Sequence, residues 1–117
     1  IRSGRKRSHW MWYIFPQIAG LGMSYTAQLY AIKDIDEARQ YIAHPVLGAR
    51  LIEISQALLT LDCSDATAVM GYPDDLKLRS CMTLFAQVSD DPVFDAVLAK
   101  FYGGTADART LELLSLT

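Results

Sequence analysis

The sequence predicts an all-α fold, a single compact domain of about six to seven helices that spans residues 1–117. Apolar residues recur at helical spacing through most of the chain, and capping residues or prolines precede several of these stretches. No two segments show the apolar and polar alternation that is typical of paired strands. The chain has 117 residues, 51% of them hydrophobic, which is enough to bury a core without disulfide bonds.

The first element is a block of large apolar side chains, Trp10 to Phe15, which closely follows the basic run GRKR. The block fits neither the helical nor the strand period, because large groups fall on every face. We therefore expect it to be buried, or to form the wall of a pocket whose mouth lies at the basic residues. Pro16 ends the block, and Ser24 is the predicted N-cap of a short helix through Tyr30.

Two helices are predicted between residues 34 and 61. Asp34 and Glu37 form a capping-box-like pair that starts the first helix, which ends at His44. Pro45 occupies a favourable first position for the second and longest helix. The predicted apolar stripe of that helix consists of Leu47, Leu51, Ile54, Leu58 and Leu61.

A short helix and a longer one are predicted next. Asp65 starts the short helix, and Gly71 suits the left-handed conformation that closes it. The longer helix follows Pro73 and carries two carboxylates in its first turn, where the helix macrodipole favours negative charge. Its predicted buried face consists of Leu78, Cys81, Met82, Phe85 and Val88.

The last two predicted helices begin at Asp91-Pro92 and at Asp107, and both starts have capping chemistry. Gly103 and Gly104 close the first of these helices. The residues expected to face the core are Phe94, Val97, Leu98 and Phe101 in the first helix, and Leu111 and Leu114 in the second.

The charge distribution argues against a nucleic-acid partner. Up to Lys33 the chain has five basic residues and no acidic one, whereas from Asp34 onward it has six basic and thirteen acidic residues. An acidic body of this kind repels phosphate, so the short basic segment makes a poor footprint for nucleic acid. A solvated segment paired with acidic neighbours is the more common use of such a cluster.

Several other functional classes find no support. No apolar run approaches the roughly 20 residues of a membrane helix, so no membrane association is expected. Cys63 and Cys81 lack a CxxC partner, and with only His9 and His44 beside them no metal site is expected. Free thiols indicate a cytoplasmic protein. The chain has no P-loop, GxGxxG, GxSxG or HExxH motif, and no cofactor is expected.

Lys77 is the first candidate for a chemical role. At the helical period it lies at the edge of the apolar arc, with Ser80 one turn further on. In one interpretation its stem covers the core while the ammonium reaches water or pairs with Asp74 or Asp75, as lysines at core borders often do. In the other interpretation, the ammonium lies at the rim of a polar cleft and holds an anion together with the Ser80 hydroxyl.

The aromatic block supplies the other candidates. His9 is a candidate general acid or base beside Lys6, although a lone histidine before a core segment is more often a structural group. Trp10 and Trp12 are able to stack on a base or sugar, although core packing is their more common use. We expect Lys6 and His9 to face the same cleft as Lys77 and Ser80, with Trp10, Trp12 and Gln17 as a wall.

Five segments follow one another along nearly the whole chain: GRKRSHWMWYIFPQIAGLG, YAI, HPVLGARL, DLKLRSCMTLF and FYGGTADARTLELL. In this order they resemble the signature blocks of the bacterial and fungal family known as domain of unknown function 1810. The resemblance implies an all-α fold, an additional helical segment upstream of Gly4, and no established activity. Cys81 stands where members of the family usually show a second serine. The C-terminal segments are also faintly similar to the helical family that processes NAD and ADP-ribose.

Two functional hypotheses follow. In the first, the protein binds or processes a small anionic metabolite such as a nucleotide or an ADP-ribose derivative. The catalytic candidates are then His9, Lys77 and Ser80, and the ligand-binding candidates are Lys6, Trp10, Trp12 and Gln17. In the second, the protein is an interaction module whose basic N-terminal segment docks an acidic partner. The sequence leaves open whether the protein is an enzyme, and it does not indicate an oligomeric state.

Overall fold

Residues 15–20, 31–72 and 74–115 are described here from a computed structural model of the chain. These ranges contain six helices and no β-strand, which confirms the predicted all-α fold. They are α1 (Ile35–Ala43), α2 (Leu47–Leu59), α3 (Ala66–Met70), α4 (Asp74–Ala86), α5 (Val93–Tyr102) and α6 (Ala108–Ser115). A single parallel bridge joins Ile18 to Ile32 within the described ranges.

The N-terminal expectations fall largely outside these ranges. The predicted helix from Ser24 to Tyr30 lies outside the described residues, and so does the aromatic block apart from its last member. That member, Phe15, is fully buried in the core, and Pro16 and Gln17 after it are buried as well.

The fold is organised around α4, which packs against α1, α3, α5 and α6. All six residues from 80 to 85 are buried, so this part of the helix is enclosed on every side. The ring of Phe85 lies 5.5 Å from that of Tyr41 on α1 and 5.9 Å from that of Phe94 on α5, centroid to centroid. Aromatic contacts therefore join three helices at the centre of the core.

Helix α1 begins as predicted, and α2 begins differently. Asp34 caps α1 by accepting the backbone N–H of Glu37 on Oδ1 at 2.8 Å. At the end of α1, the Nδ1 atom of His44 accepts the N–H groups of Val46 and Leu47, both at 3.1 Å. The histidine side chain thus caps α2, which starts two residues later than the position predicted from Pro45.

Two leucines predicted to face the core are exposed instead. Leu47, at the N-terminus of α2, is 40% exposed, because the buried face of that helix begins one residue later at Gly48. Leu111 on α6 is 39% exposed, and the fully buried residue of α6 is Thr110. Asp107 turns Thr110 inward by accepting both its N–H, at 2.9 Å, and its hydroxyl, at 2.6 Å, on Oδ2.

The remaining helix ends agree with the predicted capping. Asp65 accepts the N–H groups of Thr67 and Ala68 at the start of α3, and Gly71 closes that helix with a φ of 79°. Gly103 adopts the left-handed conformation at the end of α5, with a φ of 62°. The longest helices have 13 residues, and no helix in the described part of the chain is long and apolar enough to cross a lipid bilayer.

Helices α1 and α2 are in close contact at Gly48. A Cβ atom built on Gly48 would lie 2.0 Å from the backbone carbonyl oxygen of Ile42. Alanine in a helix is normally more stable than glycine by about 0.5–1 kcal/mol. Here the collision with backbone outweighs that gain, because neither helix is able to move without repacking the core.

We expect Gly48→Ala to lower the free energy of unfolding by about 2 kcal/mol or more in urea denaturation followed by circular dichroism. Gly103→Ala is the matched control, since its Cβ would meet open space and only the left-handed backbone would oppose it. That substitution should cost about 1 kcal/mol. Equal stabilities of Gly48→Ala and the wild type would contradict the close approach.

The C-terminus of α2 is capped by a side chain from α5. The ammonium of Lys100 donates hydrogen bonds to the carbonyl oxygens of Leu58 at 3.0 Å and Leu59 at 3.1 Å, and also to that of Leu61. Carbonyls in the last turn of a helix have no partner within the helix. Lys100 therefore supplies a positive charge and three donors at the last turn of α2, which has no basic residue of its own.

Replacing Lys100 by methionine keeps the length of the side chain but removes all three donors. We expect the free energy of unfolding to fall by about 2 kcal/mol, the order of a hydrogen bond that involves a charged group. Lys33→Met, at an exposed position, should change it by less than about 0.5 kcal/mol. A loss no larger than that of the control would show that the carbonyls are satisfied without Lys100.

Candidate functional site

Two carboxylates are buried in the first turn of α4. Gly71 follows the last residue of α3, and its carbonyl oxygen accepts the N–H of Asp75 in the first turn of α4 at 2.9 Å. Asp74 and Asp75 are both buried at this helix start. The helix macrodipole favours negative charge here, but each carboxylate also needs specific partners because it has left water.

Asp75 has structural partners on both of its oxygens. Its Oδ2 accepts the hydroxyl of Thr67 on α3 at 2.5 Å, and its Oδ1 accepts the N–H of Leu76 at 2.9 Å. Its backbone carbonyl accepts the hydroxyl of Tyr102 on α5, also at 2.5 Å. One residue thus ties three helices together, and its carboxylate is already occupied by the fold.

Tyr102 and Arg79 fix the other side of this helix start. Burial raises the pKa of the Tyr102 hydroxyl well above its ordinary value, and the nearby carboxylate of Asp75 raises it further. The guanidinium of Arg79 lies 5.9 Å from the centre of the Tyr102 ring. It donates from Nε to the carbonyl of Thr105 at 2.9 Å and from Nη2 to that of Ala106 at 3.1 Å. Arg79 therefore holds the loop before α6 against α4.

Asp74 forms an ion pair with Lys77 at the boundary between core and solvent. Its Oδ1 lies 3.3 Å from the Nζ of Lys77; the Asp74 side chain is 7% exposed and the Lys77 side chain 33%. Two other ion pairs in the described part of the chain, Arg39–Asp36 and Arg109–Glu112, have both side chains more than half exposed. The Asp74–Lys77 pair differs from them because a nearly buried carboxylate holds a cation that still reaches solvent.

Ser80 lies one turn after Lys77 on the neighbouring part of the same helix surface. Its hydroxyl is nearly buried and donates to the carbonyl oxygen of Leu76 at 3.1 Å. This local bond to the preceding turn occupies the hydroxyl hydrogen and leaves the oxygen as an acceptor. Cys81, the next residue, is fully buried, and burial raises the pKa of its thiol well above the usual range.

The structure describes only some of the predicted site residues. Lys77 and Ser80 lie together on α4, as the helical period predicts. Gln17 is 1% exposed, and its Nε2 donates to the carbonyl of Phe15 at 3.3 Å. Lys6, His9, Trp10 and Trp12 lie outside the described residues, so a cleft shared by Lys6, His9, Lys77 and Ser80 stays a prediction.

Asp74 was not predicted as a site residue. From the sequence it was expected only as one of two carboxylates that could pair with the ammonium of Lys77. The signal for it was its i,i+3 spacing from Lys77 and its place in the first turn of a helix. Its burial comes from the packing of the whole helix, which helical spacing does not report. Within the described ranges, no group of three His, Cys, Asp or Glu residues is placed to hold a metal ion.

These features define a class: a compact helical protein whose central helix starts with a buried aspartate paired to a solvent-reaching lysine. The chain belongs to the family described as "Protein of unknown function (DUF1810)", whose model matches residues 1–114. This confirms the family indicated by the five sequence segments.

A similar fold is found in a crystal structure from Mycobacterium tuberculosis, that of the conserved hypothetical protein Rv1873. The two chains are 48% identical and superpose with a TM-score of 0.95, over 99% of this chain and 84% of the other. No curated protein matches this chain.

The buried phenol of Tyr102 predicts a loss of stability in alkali. The pKa of Tyr102 in the folded protein lies above the ordinary value of 10.0. The contribution of the protonated phenol to the free energy of unfolding is therefore complete below pH 10, and it is lost as the pH rises towards the folded-state pKa. Above pH 10, the free energy of unfolding should fall more steeply with pH in the wild type than in Tyr102→Phe, by up to about 1.4 kcal/mol per pH unit.

Urea denaturation at a series of pH values measures this difference. Between pH 6 and 8 the variant should be less stable by a constant amount, about 1 kcal/mol, because the hydrogen bond to Asp75 is missing. Above pH 10 the two curves should converge. Parallel curves throughout would show that Tyr102 does not stay protonated in the folded protein.

Proposed function

We propose that the protein binds a small anionic metabolite at the first turn of α4, with Lys77 as the group that holds the anion. The observation that carries this proposal is the Asp74–Lys77 pair, in which the carboxylate is nearly buried while one third of the lysine side chain is exposed. Lys77 is a fixed cation that reaches solvent beside a core of low polarity, where a charge–charge contact is stronger than in water.

The surroundings of Lys77 support a binding role rather than a nucleophilic one. The acceptor of the Ser80 hydroxyl is a backbone carbonyl and not a base, so Ser80 is not activated as a nucleophile. Its oxygen is left to accept a hydrogen bond from a hydroxyl or amino group of the ligand, while Lys77 holds the anion. Lys77 is paired with a carboxylate, which favours its charged ammonium form, and a charged ammonium binds anions rather than acting as a nucleophile. Nucleotides and ADP-ribose derivatives are the ligand class that the C-terminal sequence segments favour.

The proposal includes the N-terminal residues of the predicted site and a cytoplasmic location. Lys6 and His9 are expected to complete the charged side of the site, and Trp10, Trp12 and Gln17 its wall. Free thiols at Cys63 and Cys81 support a cytoplasmic location, where such metabolites occur. The docking alternative depends on basic residues outside the described ranges, so small-molecule binding is the function that the described contacts favour.

A thermal-shift screen against nucleotides, ADP-ribose, NAD and sugar phosphates tests the proposal. A ligand at 100 times its dissociation constant adds about 2.7 kcal/mol of stability to the folded protein. Lys77→Met should abolish the shift with the active compound, because the methionine keeps the packing of the stem and removes the ammonium. Lys33→Met is the matched control and should retain the shift.

Two results would defeat the proposal. One is the absence of a shift with every compound in the screen. The other is an undiminished shift in Lys77→Met, provided that the circular dichroism spectrum and the midpoint of unfolding without ligand show a folded protein. A shift that disappears as salt is raised would in addition identify the contact as electrostatic.

A further inference from the structure

We propose that the ligand held by Lys77 carries an aromatic base, and that Tyr72 binds this base by stacking. The inference rests on the proposed function, since it concerns the same ligand at the same lysine, and it narrows the ligand class to nucleotides. It follows from two exposed apolar side chains, Tyr72 and Leu76, that precede the lysine at the start of α4.

Tyr72 is an exposed aromatic residue in a fold that encloses the other rings. It is 77% exposed, whereas every other aromatic residue in the ranges 15–20, 31–72 and 74–115 is buried or half-buried. Its ring takes part in none of the aromatic contacts within these ranges. Tyr72 therefore contributes little to the packing of the described core, and its ring offers a flat apolar face to a ligand.

Leu76 and Lys77 follow Tyr72 by about one helical turn. The N–H of Asp75 donates to the carbonyl oxygen of Gly71 at 2.9 Å, an i to i−4 bond that closes a helical turn around Tyr72. Side chains four residues apart are neighbours on one face of such a turn, and Leu76 is 48% exposed. At a helical rise of about 1.5 Å per residue, Lys77 lies about 7.5 Å from Tyr72 along the axis.

A nucleotide matches this arrangement of an apolar surface beside a cation. Its base is flat and aromatic, and a single ribose separates the base from the phosphate. The base stacks on Tyr72 and contacts Leu76, while the phosphate binds Lys77. A sugar phosphate offers the phosphate but no base, so it forms only the contact with the lysine. Because stacking accepts any base, the site separates nucleotides from sugar phosphates without separating one base from another.

Adenosine 5′-monophosphate and ribose 5-phosphate test the inference, because they share the ribose and the phosphate and differ in the base. By isothermal titration at pH 7.5, the wild type should bind the nucleotide about tenfold more tightly, which lies within the range that one stacked base gives. The two ligands carry the same phosphate group, so the contact with Lys77 does not account for the difference. Uridine 5′-monophosphate should also bind more tightly than ribose 5-phosphate.

Tyr72→Ala and Tyr72→Phe assign the preference to its residue. Tyr72→Ala should weaken binding of adenosine 5′-monophosphate about tenfold, to the level of ribose 5-phosphate. Tyr72→Phe keeps the ring and should retain the preference, since stacking does not use the hydroxyl. Leu111→Ala removes an exposed apolar side chain on α6 and is the control that should retain the preference as well.

Proton NMR of the bound nucleotide supplies a readout that a purely structural role of Tyr72 would not produce. The adenine ring protons should move upfield when the wild type binds the nucleotide, because they then lie over the face of an aromatic ring. This shift should be retained in Tyr72→Phe and lost in Tyr72→Ala. The position is exposed, so both variants should keep the circular dichroism spectrum of the wild type.

The possible failures are distinguishable. If neither ligand binds, and no other compound of the thermal-shift screen does, the proposed function itself is wrong. If ribose 5-phosphate or another compound without a base binds through Lys77 as tightly as the nucleotide, anion binding stands and the stacking surface is wrong. If folded Tyr72→Ala keeps the preference for the nucleotide, the base binds elsewhere, such as at Trp10 or Trp12, and the role of Tyr72 is overturned.

Discussion

The enclosure of α4 by the other helices is the constraint on which the rest of this structure depends. A helix buried on all sides has no face on which polar side chains are solvated, so each polar group needs a partner in the protein. Ser80 and Thr83 donate their hydroxyl hydrogens to carbonyls of the preceding turn. The hydroxyl oxygen of Thr83 also accepts the N–H of Asp107, at 2.8 Å, and so links the start of α6 to the central helix.

The same constraint explains where a charged site is able to exist. At residues 80–85 the helix is fully enclosed, whereas Leu76 and Lys77 in its first turns are still in contact with solvent. A charged pair is tolerated only at that border, because a carboxylate inside the enclosed part would have no cation within reach. Asp75 serves the fold and Asp74 faces Lys77, so two adjacent and chemically identical side chains have different roles.

Local chemistry was predictable from the sequence, and long-range packing was not. The caps formed by Asp34, Asp65 and Asp107 depend on residues two or three positions away, and all three are present. Helical spacing likewise placed Lys77 and Ser80 side by side. The burial of Asp74 was not predictable, because it depends on how α4 is enclosed.

The errors have the same origin. Leu47 and Leu111 fit an apolar stripe, but periodicity does not show where a neighbouring helix ceases to cover that stripe. The side-chain cap of α2 was not predicted because His44 lies two residues before the N-cap position, Val46, and histidine is not among the usual capping residues.

The contact of Lys100 with the end of α2 has a consequence for how the two helices form. The lysine follows the carbonyls that it caps by 39 to 42 residues, so the end of α2 obtains its cap only from a distant part of the chain. Until α5 docks, the last turn of α2 is a frayed end whose carbonyls are hydrated. The C-terminus of α2 is therefore complete only when α5 is in place, so the two helices stabilise each other across about 40 residues of sequence.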